Sequence, residues 1–114
     1  MIFNRNGATF TYDNVTYTIG DRIMATGGSA YEGLFGTILE IRTGNDKSTD
    51  NDTPDFHCEF IPPALPAEVV ALEIRFSALY RQKKVLDEIS LDEVIMAPEM
   101  IRVINPNGVH SITA

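Results

Sequence analysis

Cys58 and His57 are neighbours, and a thiol beside an imidazole is raw material for a cysteine nucleophile. Their surroundings, DFHCEFI at 55–61, read as a strand. Successive side chains on a strand point to opposite faces, so these two cannot pair with each other. The other histidine, His110, lies in a polar tail. Asp46, Asp50, Asp52 and Asp55 crowd the segment GNDKSTDNDTPD and invite a calcium reading. No register of that segment supplies the glycine and the closing glutamate of an EF-hand loop. The run TGGSAYEG at 26–33 offers glycine amides to a phosphate. A Walker loop continues with Lys and Ser/Thr, where Leu34 and Phe35 stand, and a dinucleotide loop opens a helix, where a β-rich run follows. Glu32, Glu40, Glu59 and Asp92 would serve acid–base chemistry only if paired in one cleft, and their spacing does not predict it. The chain therefore carries no catalytic, cofactor or metal signature, and the expectation is a non-enzyme without a cofactor.

Bulk properties narrow the class. At 114 residues the chain predicts one domain with a modest core. Hydrophobic content of 44% and charged content of 22% fit an ordinary soluble globule. No apolar run reaches the ~20 residues of a membrane span, and MIFNRNGATF lacks the pattern of a secretory signal. One cysteine excludes an internal disulfide and agrees with a reducing compartment, so a cytoplasmic setting is expected. Nine basic residues face sixteen acidic ones, for a net charge of −7. That field repels nucleic acid, whose binders depend on Lys and Arg against phosphate.

The elements follow from periodicity. FTYDNVTYTI at 10–19 predicts a hairpin turning at Asp13-Asn14, with Tyr12 opposite Val15 and Phe10 opposite Tyr17. That register sets the four large side chains on one face and the threonines on the other. A short strand over 22–25, the glycine loop and a strand over 34–41 come next, then the polar segment 44–55 as a solvated, mobile loop. Phe56, Cys58 and Phe60 share the apolar face of the following strand, with His57 and Glu59 on the other; Cys58 thus reads as a small buried hydrophobe. Pro62-Pro63 ends that strand. From Pro66 a helix is predicted over 66–84, with Val69, Leu72, Phe76, Leu79 and Tyr80 as its apolar stripe and Arg81, Lys83 and Lys84 in its last turn. Val70 and Ile74 widen the stripe, toward the sheet or another subunit. A connector at 85–90, a strand over 92–96, a 3₁₀ turn at 98–100 and a short strand over 101–104 complete the domain. Residues 1–105 are expected as one unit and 106–114 as a flexible tail.

This order of elements resembles an SH3-like barrel. Gly20-Asp21-Arg22-Ile23, followed by Tyr31-Glu32-Gly33-Leu34-Phe35-Gly36-Thr37-Ile38, is similar to the KOW-type variant, in which a "G-D-x-V" strand precedes a glycine and "G-x-I/V". The match covers about 25 residues directly; the later strands agree in order only. The helix over 66–84 is an insertion relative to a minimal barrel. The absence of Trp removes the usual aromatic groove of proline-peptide binders, and the basic loop surface of RNA-binding relatives is missing. LDEVIMAPEMIRVI, with the helix before it, resembles small uncharacterised proteins of gut Firmicutes and their mobile elements, which implies bacterial origin but no activity. The resemblance implies a closed barrel of about five to seven strands plus one helix. It also implies that the loop 27–33 lies beside the 3₁₀ turn, so Tyr31, Glu32, Phe35 and Pro98 form the expected partner contact.

The function expected is a non-catalytic protein-interaction (adaptor) module with an unidentified protein partner. The alternative is a nucleic-acid- or ribosome-associated domain, which requires Arg5, Arg22, Arg42 and Arg102 to cluster. The wide helix stripe and exposed edge strands also suggest a homodimer.

Overall fold

Alternating apolar residues and paired turn residues build two sheets and one helix in the computed structural model, which describes residues 1–104. The expected tail at 106–114 lies outside the described residues. After a two-residue strand β1 (Ile2–Phe3), β2 (Thr9–Tyr12) and β3 (Val15–Thr18) form a separate hairpin. Asp13 and Asn14 both sit at left-handed dihedrals (φ 50° and 66°), the primed turn whose twist matches its flanking strands. The register is the predicted one, Tyr12 opposite Val15 and Phe10 opposite Tyr17. On the outer face the Thr11 and Thr16 hydroxyls hydrogen-bond at 2.9 Å. On the inner face Tyr17 is buried edge-on against Phe56, ring centroids 4.6 Å apart, so the hairpin covers the core of the main sheet.

That main sheet contains β4 (Arg22–Ala25), β5 (Phe35–Arg42), β6 (Asp55–Phe60), β7 (Val94–Met96) and β8 (Ile101–Val103). Their order is β7-β6-β5-β4-β8, with antiparallel neighbours throughout, and β1 pairs with the end of β5. The last strand thus returns beside the first of the five, and the predicted 3₁₀ turn, Pro98–Met100, links β7 to β8. β7 and β8 do not pair with each other, so among the described residues the sheet is open. The mainly β architecture with one helix is as expected, closure of a barrel is not shown, and the described residues form eight strands where about five to seven were expected.

β5 organises the rest. Its first half takes β4 on one side and its second half takes β1 on that same side, while β6 runs along the other. The pairing with β6 slips at Leu39: Ile38 faces Cys58 and Glu40 faces His57. This bulge resets the two-residue alternation. Ile38 and Ile41, three positions apart, are therefore both fully buried, alongside Ile23, Phe56 and Cys58. Gly36 marks the closest approach of the two strands. A Cβ there would stand 2.1 Å from the Glu59 carbonyl oxygen.

The segment 44–55 is more ordered internally than a solvated, mobile loop. Asp55, buried at the start of β6, accepts hydrogen bonds from the Ser48 and Thr49 amides (2.7 and 3.0 Å) and from the Thr49 hydroxyl. Burial pushes the Asp55 pKa up, but these donors, with Lys47 at 3.9 Å, outweigh it and hold the carboxyl below its ordinary value.

The helix α1 spans Pro66–Tyr80 and stops short of the predicted Lys84. Arg81 takes a left-handed conformation (φ 53°), and the Gln82 amide donates back to Ser77 O at 3.1 Å, a closure that satisfies late carbonyls. Lys83 and Lys84 therefore lie beyond the helix, and its last turn holds no basic residue. Only Leu72 and Phe76 of the predicted stripe are buried; Leu79 and Tyr80 are exposed.

Candidate functional site

The glycine loop begins at Thr26. Its amide donates to Met100 O (2.8 Å) and its hydroxyl to Glu99 O (2.9 Å), which sets the loop against the 3₁₀ turn as expected. Two tight turns follow, Ser29 N to Thr26 O and Glu32 N to Ser29 O, both 3.1 Å. Gly33 (φ 89°) then returns the chain to β5, in a conformation that L side chains rarely adopt.

Between these points Tyr31 turns inward. Its ring stacks on Phe60 (centroids 5.2 Å, planes 10° apart) and meets Phe76 edge-on at 4.9 Å. Its hydroxyl donates to Ser90 O at 2.7 Å. Burial, aided by Tyr80, raises the pKa of that hydroxyl. Tyr31 is thus an internal pin joining loop, sheet, helix and connector. Pro98 is buried, because the 3₁₀ turn presents Glu99 outward and folds its proline in. Of the four residues expected at a contact surface, Glu32 and Phe35 reach solvent; Pro98 does not, and Tyr31 is committed to its own domain.

Phe35 finds a different neighbour. The Ile61 amide donates to Phe35 O at 2.8 Å, which places two exposed apolar side chains (49% and 59% accessible) side by side at the rim of the sheet. With Leu34, Pro62, Pro63 and Glu68 they line a cleft of ≈170 Å³. Past Gly33 and Pro63 it continues into a hollow of ≈100 Å³ bounded by Glu32, Ala71 and Arg75. Arg75 forms the wall: Nε donates to Ala30 O (3.1 Å) and Nη2 to Glu32 O (3.2 Å), clamping the loop onto α1. Sequence reasoning passed over Ile61 and Arg75. The signal for Ile61 was a large apolar residue directly before Pro62-Pro63; Arg75 carried none beyond its position in a helix.

Cys58 and His57 do not meet. Cys58 is fully buried, its thiol pushed up to about 12 by burial and its Sγ directed at Phe56 O. His57 points to the opposite face, also buried, with Nε2 unpartnered among the described residues. Glu40, across from His57, is ion-paired with Arg42, whereas Glu32 lies in the loop before β5. Among the described residues no three His, Cys, Asp or Glu side chains gather as a metal site. Of Arg5, Arg22, Arg42 and Arg102, which nucleic-acid binding would need clustered, Arg42 is engaged by Glu40, while Arg22 and Arg102 lie on the adjoining strands β4 and β8. No helix among the described residues is long and apolar enough to cross a membrane. No protein-family model, curated protein or solved structure matches the chain.

Proposed function

We propose that the chain is a non-catalytic protein-interaction module built on a KOW-like variant of the SH3-like fold, acting in the cytoplasm. Support for the fold reading comes from the strand order, with β8 returning beside β4, and from the 3₁₀ turn between the last two strands. Fold alone assigns no activity, so the functional reading rests on one observation: Phe35 and Ile61 stand exposed beside a proline-lined cleft. An exposed aromatic–aliphatic pair in a concave site is the usual anchor of a peptide contact. Glu32 and Glu68 border the cleft on a chain of net charge −7, so the fitting ligand is an apolar peptide segment carrying Lys or Arg beside its anchor.

Selection from a displayed random-peptide library tests this. The wild-type domain should enrich peptides with an apolar anchor next to a basic residue, and Phe35→Asp and Ile61→Asp should each abolish their binding. Both residues are already half exposed, so neither change should lower the melting temperature much. Enrichment no better than that of an unrelated acidic domain overturns the proposal, as does binding that survives both substitutions.

A further inference from the structure

The side of α1 turned away from the sheet carries no charge. Residues advance about 100° around a helix axis. Leu72 and Phe76 therefore mark the buried side, and Ala67, Val70, Ala71, Ile74 and Ala78, all exposed, mark the opposite one. Val70 and Ile74 are 52% and 63% accessible. The helix is apolar on both sides, with Glu68, Glu73 and Arg75 confined to its flanks. A helix apolar all round is ordinarily covered on all sides.

We propose that a second copy of this chain covers it, in an antiparallel helix pair whose two-fold axis lies on the outward side, level with Leu72 along the helix. That register sets Val70 of one copy opposite Ile74 of the other, and Ala67 opposite the Ser77–Ala78 step. The alanines leave room for the two larger side chains, as knobs require holes. The flanks decide between a second copy and another partner. Glu68 and Arg75 share one flank, and the two-fold axis brings Glu68 of each copy against Arg75 of the other. Arg75 spends two N–H groups on the loop carbonyls of Ala30 and Glu32 and has no carboxylate partner among the described residues. Its remaining donors are open to Glu68. Glu73, on the other flank, is held within its own chain by the Leu86 amide (2.8 Å). A chain of net charge −7 thus meets its copy across an uncharged seam, with opposite charges along one edge and, along the other, the two Glu73 carboxylates, each turned to its own chain. α1 is about 22 Å long. The paired faces fall at the small end of specific interfaces, so association is expected at roughly micromolar affinity or weaker. This contact shares Glu68, Ala71 and Arg75 with the edge of the peptide cleft, and Ile74, which lines no part of that cleft, tests it separately.

Sedimentation velocity over a wide concentration range should show the mass rising from 12.6 kDa toward twice that value. Ile74→Glu should weaken association by about a hundredfold with an unchanged melting temperature, since the side chain is exposed. Ala71→Cys, near the axis, should cross-link to its own copy through a short bifunctional maleimide, and Ala78→Cys, far from it, should not. A monomer at every concentration overturns the proposal. So do a dimer indifferent to Ile74→Glu, and cross-linking of both cysteine variants or of neither. Since Phe35 and Ile61 lie outside this face, loss of the dimer with peptide selection intact refutes this contact alone.

Discussion

Replacing Gly36 by alanine probes the contact that shapes both the sheet and the cleft. The added Cβ would lie 2.1 Å from Glu59 O and 2.8 Å from Phe60 Cδ1, whereas real Cβ atoms essentially never come within 3.0 Å of such neighbours. The obstructing atom is backbone, so relief requires β6 to move by about 1 Å relative to β5, more than rotamer adjustment supplies. Overpacking of this kind costs about 1–3 kcal/mol. Gly36 pairs with Phe60, one step from the hydrogen bond of Ile61 N to Phe35 O, so weakening that bond adds about 1 kcal/mol. Removing a glycine from the unfolded chain returns about 0.4–1 kcal/mol. The net expectation for Gly36→Ala is a loss of about 2–3 kcal/mol, or roughly 10–20 °C in Tm for a domain of this size. Urea unfolding followed by circular dichroism measures it. Gly28→Ala, where a Cβ meets nothing within 4 Å, is the control and should stay within about 0.5 kcal/mol of wild type. A Gly36→Ala midpoint matching that control would refute the close approach of β5 and β6, and with it the placement of Phe35 beside Ile61.

Two further outcomes follow from buried groups. The folded pKa of Asp55 lies below the ordinary 3.8, so its contribution is present above that value and is lost as pH falls through the lower folded one. Asp55→Asn should cost about 2 kcal/mol at pH 7 and flatten the acid limb of stability below about pH 4; equal acid limbs for both proteins would contradict the loop anchoring. The Cys58 thiol, raised to about 12 in the core, should resist an aromatic disulfide reagent at pH 8 until denaturant is added, when one thiol per chain reacts. Native reaction as fast as free cysteine would place it at the surface.

Local chemistry was legible in the residues, and long-range closure was not. The β2–β3 register could be read because Asp13-Asn14 tolerates left-handed dihedrals between two alternating runs. The helix start was legible through Pro66, but its end was not: Arg81 takes the left-handed position usually given to glycine, so no residue type marked the stop. The bulge at Leu39 hides inside TILEI, where plain alternation would send Ile38 and Ile41 to opposite faces. Tyr31 was assigned to a contact surface as a loop aromatic. Its true direction depends on Phe60, Phe76 and Ser90, which no local pattern connects to it. The burial of Pro98 was hidden for the same reason: the 3₁₀ turn was legible, but which of its residues faces inward is set by the strands it joins.

The helix α1 accounts for a loop rich in glycine serving as one wall of a defined cleft. A glycine loop left to itself samples many conformations, and a partner would have to order it at a cost in entropy. Here Thr26 binds the carbonyls of Glu99 and Met100, Tyr31 binds that of Ser90, and Arg75 binds those of Ala30 and Glu32. Each tie reaches a segment distant in the chain, and the ties through Arg75 and the Tyr31–Phe76 contact exist only because α1 lies against the loop. Arg75 engages backbone carbonyls of the loop, leaving the Glu32 carboxylate outward. The helix thereby converts a flexible connection into a surface whose shape is set before any ligand arrives, and its own outward face, free of charge, is what this placement leaves uncovered.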